Sequence, residues 1–138
     1  MKASAGVGTP PRIAIVTAGL MLVEAVTLAV ASIIHFGVAI PLGLVTLYDP
    51  FEGARIPEAI LAVAVAAGAV SLLTRWAGAR WLALAATLLA IVGVLVGAGF
   101  VLNGTESRPW DLVYHASLLV ALLVTVTLLP WPWTRRGL

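Results

Sequence analysis

Residues 13–36 read IAIVTAGLMLVEAVTLAVASIIHF, an apolar stretch carrying one ordinarily charged side chain, Glu24. At 1.5 Å per residue such a run is about 36 Å long as a helix, enough to cross a hydrocarbon core of roughly 30 Å. A carboxylate turned toward lipid there would be expensive. An Asp at the centre of an inserting helix costs about 2.5–3.5 kcal/mol on translocon scales. Glu24 is therefore expected to face protein, water or a ligand, and its stretch is expected to be a membrane span.

The rest of the chain agrees with that reading. Of 138 residues, 62% belong to the hydrophobic classes and 10% are Asp, Glu, Lys or Arg, with a mean hydropathy of +1.10. Those values set aside the ordinary soluble classes and leave room for one compact membrane domain, without a separate soluble catalytic domain. The absence of cysteine excludes disulfides, thiolate metal sites and cysteine nucleophiles. The net charge is +2, and the basic residues flank apolar segments rather than forming a patch. No nucleic-acid partner is expected, and membrane lipid, with its anionic cytoplasmic leaflet, is the expected one.

Hydropathy predicts four spans, at about Ile13–Phe36, Ile56–Thr74, Trp81–Leu102 and Leu112–Leu129. Only helices fit, because isolated strands would leave backbone groups unpaired in lipid. The first run is too long for a signal-peptide core, and no small-x-small cleavage site follows His35, so it is read as a retained span. Residues 1–12, broken by Pro10 and Pro11, form a leader; 13–130 form the four-helix transmembrane domain; 131–138 form a basic tail. Lys2, Arg12, Arg75, Arg80, Arg135 and Arg136 fall on one side of this arrangement, against Arg55 and Arg108 on the other. That asymmetry predicts a cytoplasmic leader and a cytoplasmic tail. The expected fold is an all-α integral membrane protein, a four-transmembrane-helix up-down bundle with both termini cytoplasmic, in a bacterial cytoplasmic membrane. All five tryptophans lie at or just beyond predicted helix ends, where indole belongs.

The connections differ in character. Thr74–Arg80 reads as a tight cytoplasmic turn and Asn103–Asp111 as a short polar outer loop. The outer loop 37–55 begins Gly-Val-Ala-Ile-Pro-Leu-Gly-Leu-Val, too short to cross the membrane and return, and too apolar for an ordinary water-facing loop. It is expected to lie along the outer interface or to dip in as a lid, covering the bundle end or gating a ligand. Within the spans, Thr17, Glu24, Ala31 and His35 share one face of the first helix. Ala83, Ala86, Ala90, Gly93 and Gly97 form a small-residue stripe on the third that suits close helix packing. Ser117, Ala121 and Thr125 form a weaker stripe on the fourth.

Comparison by depth brings together residues distant in sequence. His35 ends the first helix, Glu58 opens the second, and Asp111 and His115 lie one turn apart at the start of the fourth, all at the outer level. Glu24 lies about 16 Å deeper along the first helix. His35 and His115, joined by Glu58 and Asp111, would make a mixed nitrogen–oxygen set for a transition metal such as Zn, Fe, Cu or Mn. The two histidines could alternatively be the axial ligands of a haem. Glu58 and Glu24 are the candidate catalytic acids, Glu58 fixing a histidine tautomer and Glu24 relaying a proton. Hydrogen-bonded structural polar residues are an equally good account of the same positions.

The segment Leu22-Val23-Glu24-Ala25 gives the first helix a resemblance to the small multidrug-resistance transporters, which also have four spans and an embedded Glu in the first. The resemblance implies a Glu24 that binds protons and cationic drugs at a dimer interface. It covers one helix, and the long outer loop, His35, Glu58, His115 and the strong basic asymmetry depart from it.

Three functions follow as expectations. The first is a small membrane protein binding a metal, haem or lipophilic cofactor near its outer face, as an electron-transfer or oxidoreductase component. The second is a proton-coupled transporter of small lipophilic or cationic solutes. The third is a structural subunit, a homo-oligomer or a partner within a larger membrane complex, favoured by the small-residue stripes.

Overall fold

The computed structural model describes residues 12–104 and 109–129. The leader before Arg12 and the tail 131–138 lie outside them, as do Glu106, Arg108, Trp131 and Trp133 of the charge and tryptophan patterns. Four helices form a bundle: α1 (Arg12–His35), α2 (Glu52–Thr74), α3 (Ala79–Asn103) and α4 (Pro109–Leu128). Each is long and apolar enough to cross a membrane, which marks an integral membrane protein. A short antiparallel hairpin, β1 (Ile40–Pro41) and β2 (Thr46–Leu47), separates α1 from α2.

Helices α2, α3 and α4 begin earlier than hydropathy alone predicts. The first turn of α2 is Glu52-Gly53-Ala54-Arg55, polar enough to fall outside an apolar window, yet its acidic start suits the positive end of a helix dipole. Helix α4 opens on Pro109, whose fixed φ and missing N–H are tolerated in a first turn. The loop between α1 and α2 is correspondingly shorter than 37–55. Helix α1 closes on Gly37 at φ +85°, with Gly37 N–H bonded to Ile34 O (2.9 Å) and Val38 N–H to Ile33 O (3.3 Å). That crossed pair of bonds is a Schellman stop, which a glycine in the left-handed region makes cheaply. The turn between α2 and α3 is tight, with Arg75 left-handed at φ 55° and Trp76 N–H bonded to Ser71 O.

Helix α1 packs on α2 and α4, and α3 packs on the same two, which closes the bundle. Small side chains let the helices approach. A Cβ on Gly68 would lie 2.7 Å from Met21 Cε and 3.1 Å from the Ala83 backbone, so α1, α2 and α3 all meet there. The Gly93 and Gly97 pair works differently from a simple close contact. Gly93 seats the Leu61 side chain from α2, and Gly97 seats the His115 ring from α4. The seam of α4 runs through His115, Leu118, Leu122, Thr125 and Leu129, while Ser117 is exposed. Of the Ser117, Ala121 and Thr125 stripe, only Thr125 lies on the buried face. Leu and Val surround this helix, so polarity gave little contrast to set its rotation.

Candidate functional site

The hairpin end of the bundle carries a cluster of titratable side chains. His35, the last residue of α1, places its Nδ1 2.7 Å from Glu58 Oε2, two turns into α2, and both side chains are buried. One turn back, Ser32 Oγ donates to Arg55 O at 2.6 Å, a second tie between the same two helices. Phe51, just before α2, presents an edge-to-face contact to the His35 ring at 6.0 Å, and its N–H bonds His35 O at 3.2 Å. The imidazole is therefore held from below by a carboxylate and flanked by an aromatic ring.

His115 is held within α4. Its Nδ1 lies 2.7 Å from Asp111 O and 3.3 Å from Asp111 Oδ1. A carbonyl oxygen only accepts, so Nδ1 carries the hydrogen and Nε2 is the distal nitrogen of the ring. That distal edge packs onto Gly97 of α3, in the space a side chain would need. Tyr114 meets the His115 ring edge-to-face at 5.0 Å, and its buried hydroxyl has no hydrogen-bond partner among the described residues.

The two pairs belong to one electrostatic cluster. Asp111 lies within electrostatic reach of His35 as well as His115, and Glu58 within reach of His115 and Tyr114 as well as His35. Helices α1, α2 and α4 thus each contribute titratable groups, and α3 contributes the glycine that lets one of them in. A proton can be shared directly within each hydrogen-bonded pair, His35 with Glu58 and His115 with Asp111, and the charge on one pair is felt at the other.

The four residues expected to share one metal ion do not form one ligand group. Among the described residues, no three His, Asp or Glu side chains are grouped so as to hold a metal. Depth along the bundle is common to His35, Glu58, Asp111 and His115, but depth does not fix the direction in which a side chain turns. His35 turns to Glu58 and His115 turns back along its own helix. A haem held by both imidazoles would require His115 to leave Gly97.

Glu24 is separate. It is 1% exposed, and its Oε1 accepts a 2.7 Å bond from Thr125 Oγ1 of α4. Its Oε2 is buried with no partner among the described residues. The other core threonine hydroxyls serve their own helices: Thr17 donates to Ile13 O and Thr87 to Ala83 O. Along α1 the carboxyl lies about 16 Å from His35, so Glu24 and Glu58 do not share a site.

Thr125, Tyr114 and Phe51 complete these sites and were not singled out as site residues by sequence. Thr125 had a legible signal. It lies ten residues beyond His115, as Glu24 lies eleven before His35, so the two depths match. Tyr114 and Phe51 gave none beyond adjacency to His115 and to the start of α2.

No family model, curated protein or solved structure matches this chain.

Proposed function

We propose that this protein binds and moves protons within the membrane, coupled to the passage of a small lipophilic or cationic solute. The observation that carries the reading is Glu24, fully buried, held on one oxygen by a neutral hydroxyl and without a hydrogen-bond partner on the other among the described residues. A carboxylate in such a place has no counter-charge among the described residues, and a charge buried without one is costly. A proton is the simplest species to supply it, and a cationic solute is the alternative. The His35–Glu58 and His115–Asp111 pairs sit at the hairpin end of the bundle, and on this reading protons enter or leave there.

The accompanying topology is an up-down bundle with both termini cytoplasmic, in a bacterial cytoplasmic membrane. It is supported by matched steps: moving back from His35 to Glu24 and forward from His115 to Thr125 leads from one shared level to another. The excess of basic residues on the side of the termini supports the orientation.

The test is solute-driven proton flux in proteoliposomes, with a pH-sensitive dye inside the vesicles. Glu24→Gln keeps the shape of the side chain and removes its titration; coupled flux should fall at least tenfold while the protein stays assembled. Flux equal to the unmodified protein would remove Glu24 from the mechanism and the proposal with it.

A second reading rests on His35. A carboxylate on Nδ1 is the arrangement that orients a metal-binding imidazole, leaving Nε2 for a ligand. It would suit a metal, a haem or a lipophilic cofactor at the outer face, with an electron-transfer role. Elemental analysis and an absorbance spectrum of gently purified protein, compared with His35→Ala, distinguish it. Native mass spectrometry of the same preparation reads a homo-oligomer or a bound partner subunit, the structural alternative.

A further inference from the structure

The chain between α1 and α2 carries no charged residue from Gly37 to Tyr48. It folds as a hairpin with Ile40 opposite Leu47 and Pro41 opposite Thr46, closed by Leu42 N–H on Val45 O at 2.7 Å. Gly43, at the first central position of the turn with φ +77°, supplies the positive φ that a two-residue hairpin turn demands there. The consequence is a tip that holds its side chains outward. Leu44 is wholly exposed, and Leu42 and Val45 are 60% exposed.

The base of the hairpin is the opposite in character. Glu52 and Arg55 meet there, with Arg55 Nη1 3.3 Å from Glu52 Oε1 and its guanidinium over the Phe36 ring at 5.4 Å, and Asp49 lies within electrostatic reach of His35. The base is also fixed, by the Gly37 stop on one side and by Phe51 bonded to His35 O on the other. An apolar tip thus extends from a polar root that sits at the end of two membrane-crossing helices. Helix α1 alone, at 24 residues, exceeds the hydrocarbon thickness by several ångström, which puts the root at the membrane surface. The exposed apolar side chains of α1 continue through Phe36 and Val38 into the hairpin without a break in polarity.

Two features decide what covers the tip. Each strand is two residues long and β1 contains Pro41, which has no N–H to offer, so the hairpin is a poor template for strand addition by another chain. The same short ladder leaves most of the hairpin backbone without strand partners, and such groups are not tolerated in hydrocarbon. The side chains can therefore reach the boundary between headgroups and acyl chains while the backbone stays hydrated.

We propose that the 38–48 hairpin is a lipid-contacting element whose Leu42, Leu44 and Val45 tip beds into the headgroup–acyl boundary beside the bundle. Seated there, it holds Phe51 against His35 at the membrane surface. This rests on the hairpin alone and is independent of proton transfer.

The lack of cysteine makes the test direct. Single-cysteine variants Leu44→Cys, Asp49→Cys and Val63→Cys are labelled with a nitroxide in vesicles of phosphatidylcholine and phosphatidylglycerol. Val63 is 71% exposed in the middle of α2 and serves as the lipid-facing reference. Paramagnetic collision rates are read with oxygen, which concentrates in lipid, and with a water-soluble nickel chelate. The expected result is a label at 44 at least twofold more accessible to oxygen than to nickel, between the values at 63 and 49. A nickel preference at 44 equal to that at 49 puts the tip in water and overturns the proposal. Shielding from both reagents puts protein over the tip, a second copy included, and overturns it equally. Leu44 is fully exposed, so its substitution should leave the fold intact.

Discussion

Glu58 and Glu24 are both buried acids on membrane-crossing helices, and the bundle treats them differently. Glu58 is matched with an imidazole at 2.7 Å, beside a second histidine–acid pair and a phenol. Glu24 has a single threonine hydroxyl and one oxygen with no hydrogen-bond partner among the described residues. A buried acid matched to an ionisable partner ties two helices together, and removing either member strands the other. A polar group buried with capacity to spare weakens the fold it sits in. Its place in the core is therefore not explained by stability.

The comparison predicts different costs for the two acids, beginning with the largest. Glu58→Ala leaves the His35 ring buried without its carboxylate and should destabilise the protein by about 3 kcal/mol. Unfolding in mixed detergent micelles measures it, and a loss below the effect of Thr125→Val would erase the distinction. Gly97→Val comes next, at about 2 kcal/mol, because the added methyls collide with the His115 ring held by Asp111. The same substitution at Gly99, which meets no neighbour within 4 Å, should cost less than Gly97→Val and serves as its control. Thr125→Val should cost about 1 kcal/mol, the worth of one hydrogen bond, since the Glu24 carboxyl loses its one donor.

The helices were legible because lipid imposes a length and a polarity on whatever crosses it, and the runs at 13–36 and 81–102 satisfy both without ambiguity. The polar first turn of α2, Glu52 to Arg55, was not, since hydropathy sees only what lipid selects. The level shared by His35, Glu58, Asp111 and His115 followed from counting residues along helices. Their division into two pairs did not, because pairing depends on rotation about each helix axis. Rotation is poorly marked where Leu and Val face both lipid and core: of the small-residue stripe Ser117, Ala121 and Thr125 only Thr125 is buried, alongside His115, Leu118 and Leu122. The role of Gly97 was hidden for the same reason. A glycine in a small-residue stripe looks alike whether it admits a helix backbone or a histidine ring.

Glu24→Met carries the smallest expected change in stability and the sharpest contrast. Methionine fills a similar volume, removes the oxygen without a hydrogen-bond partner, and leaves Thr125 free to bond a carbonyl of its own helix, as Thr17 and Thr87 already do. Replacing a half-satisfied polar group by an apolar one of like shape is close to neutral or favourable. Unfolding in mixed micelles should therefore shift by less than about 1 kcal/mol, toward greater stability, where the equivalent Glu58→Met should shift several times further in the opposite direction. A large destabilisation by Glu24→Met would make that carboxyl a structural anchor like Glu58 and collapse the comparison. Greater stability together with lost coupled flux would show the bundle giving up stability to keep one acid free to titrate.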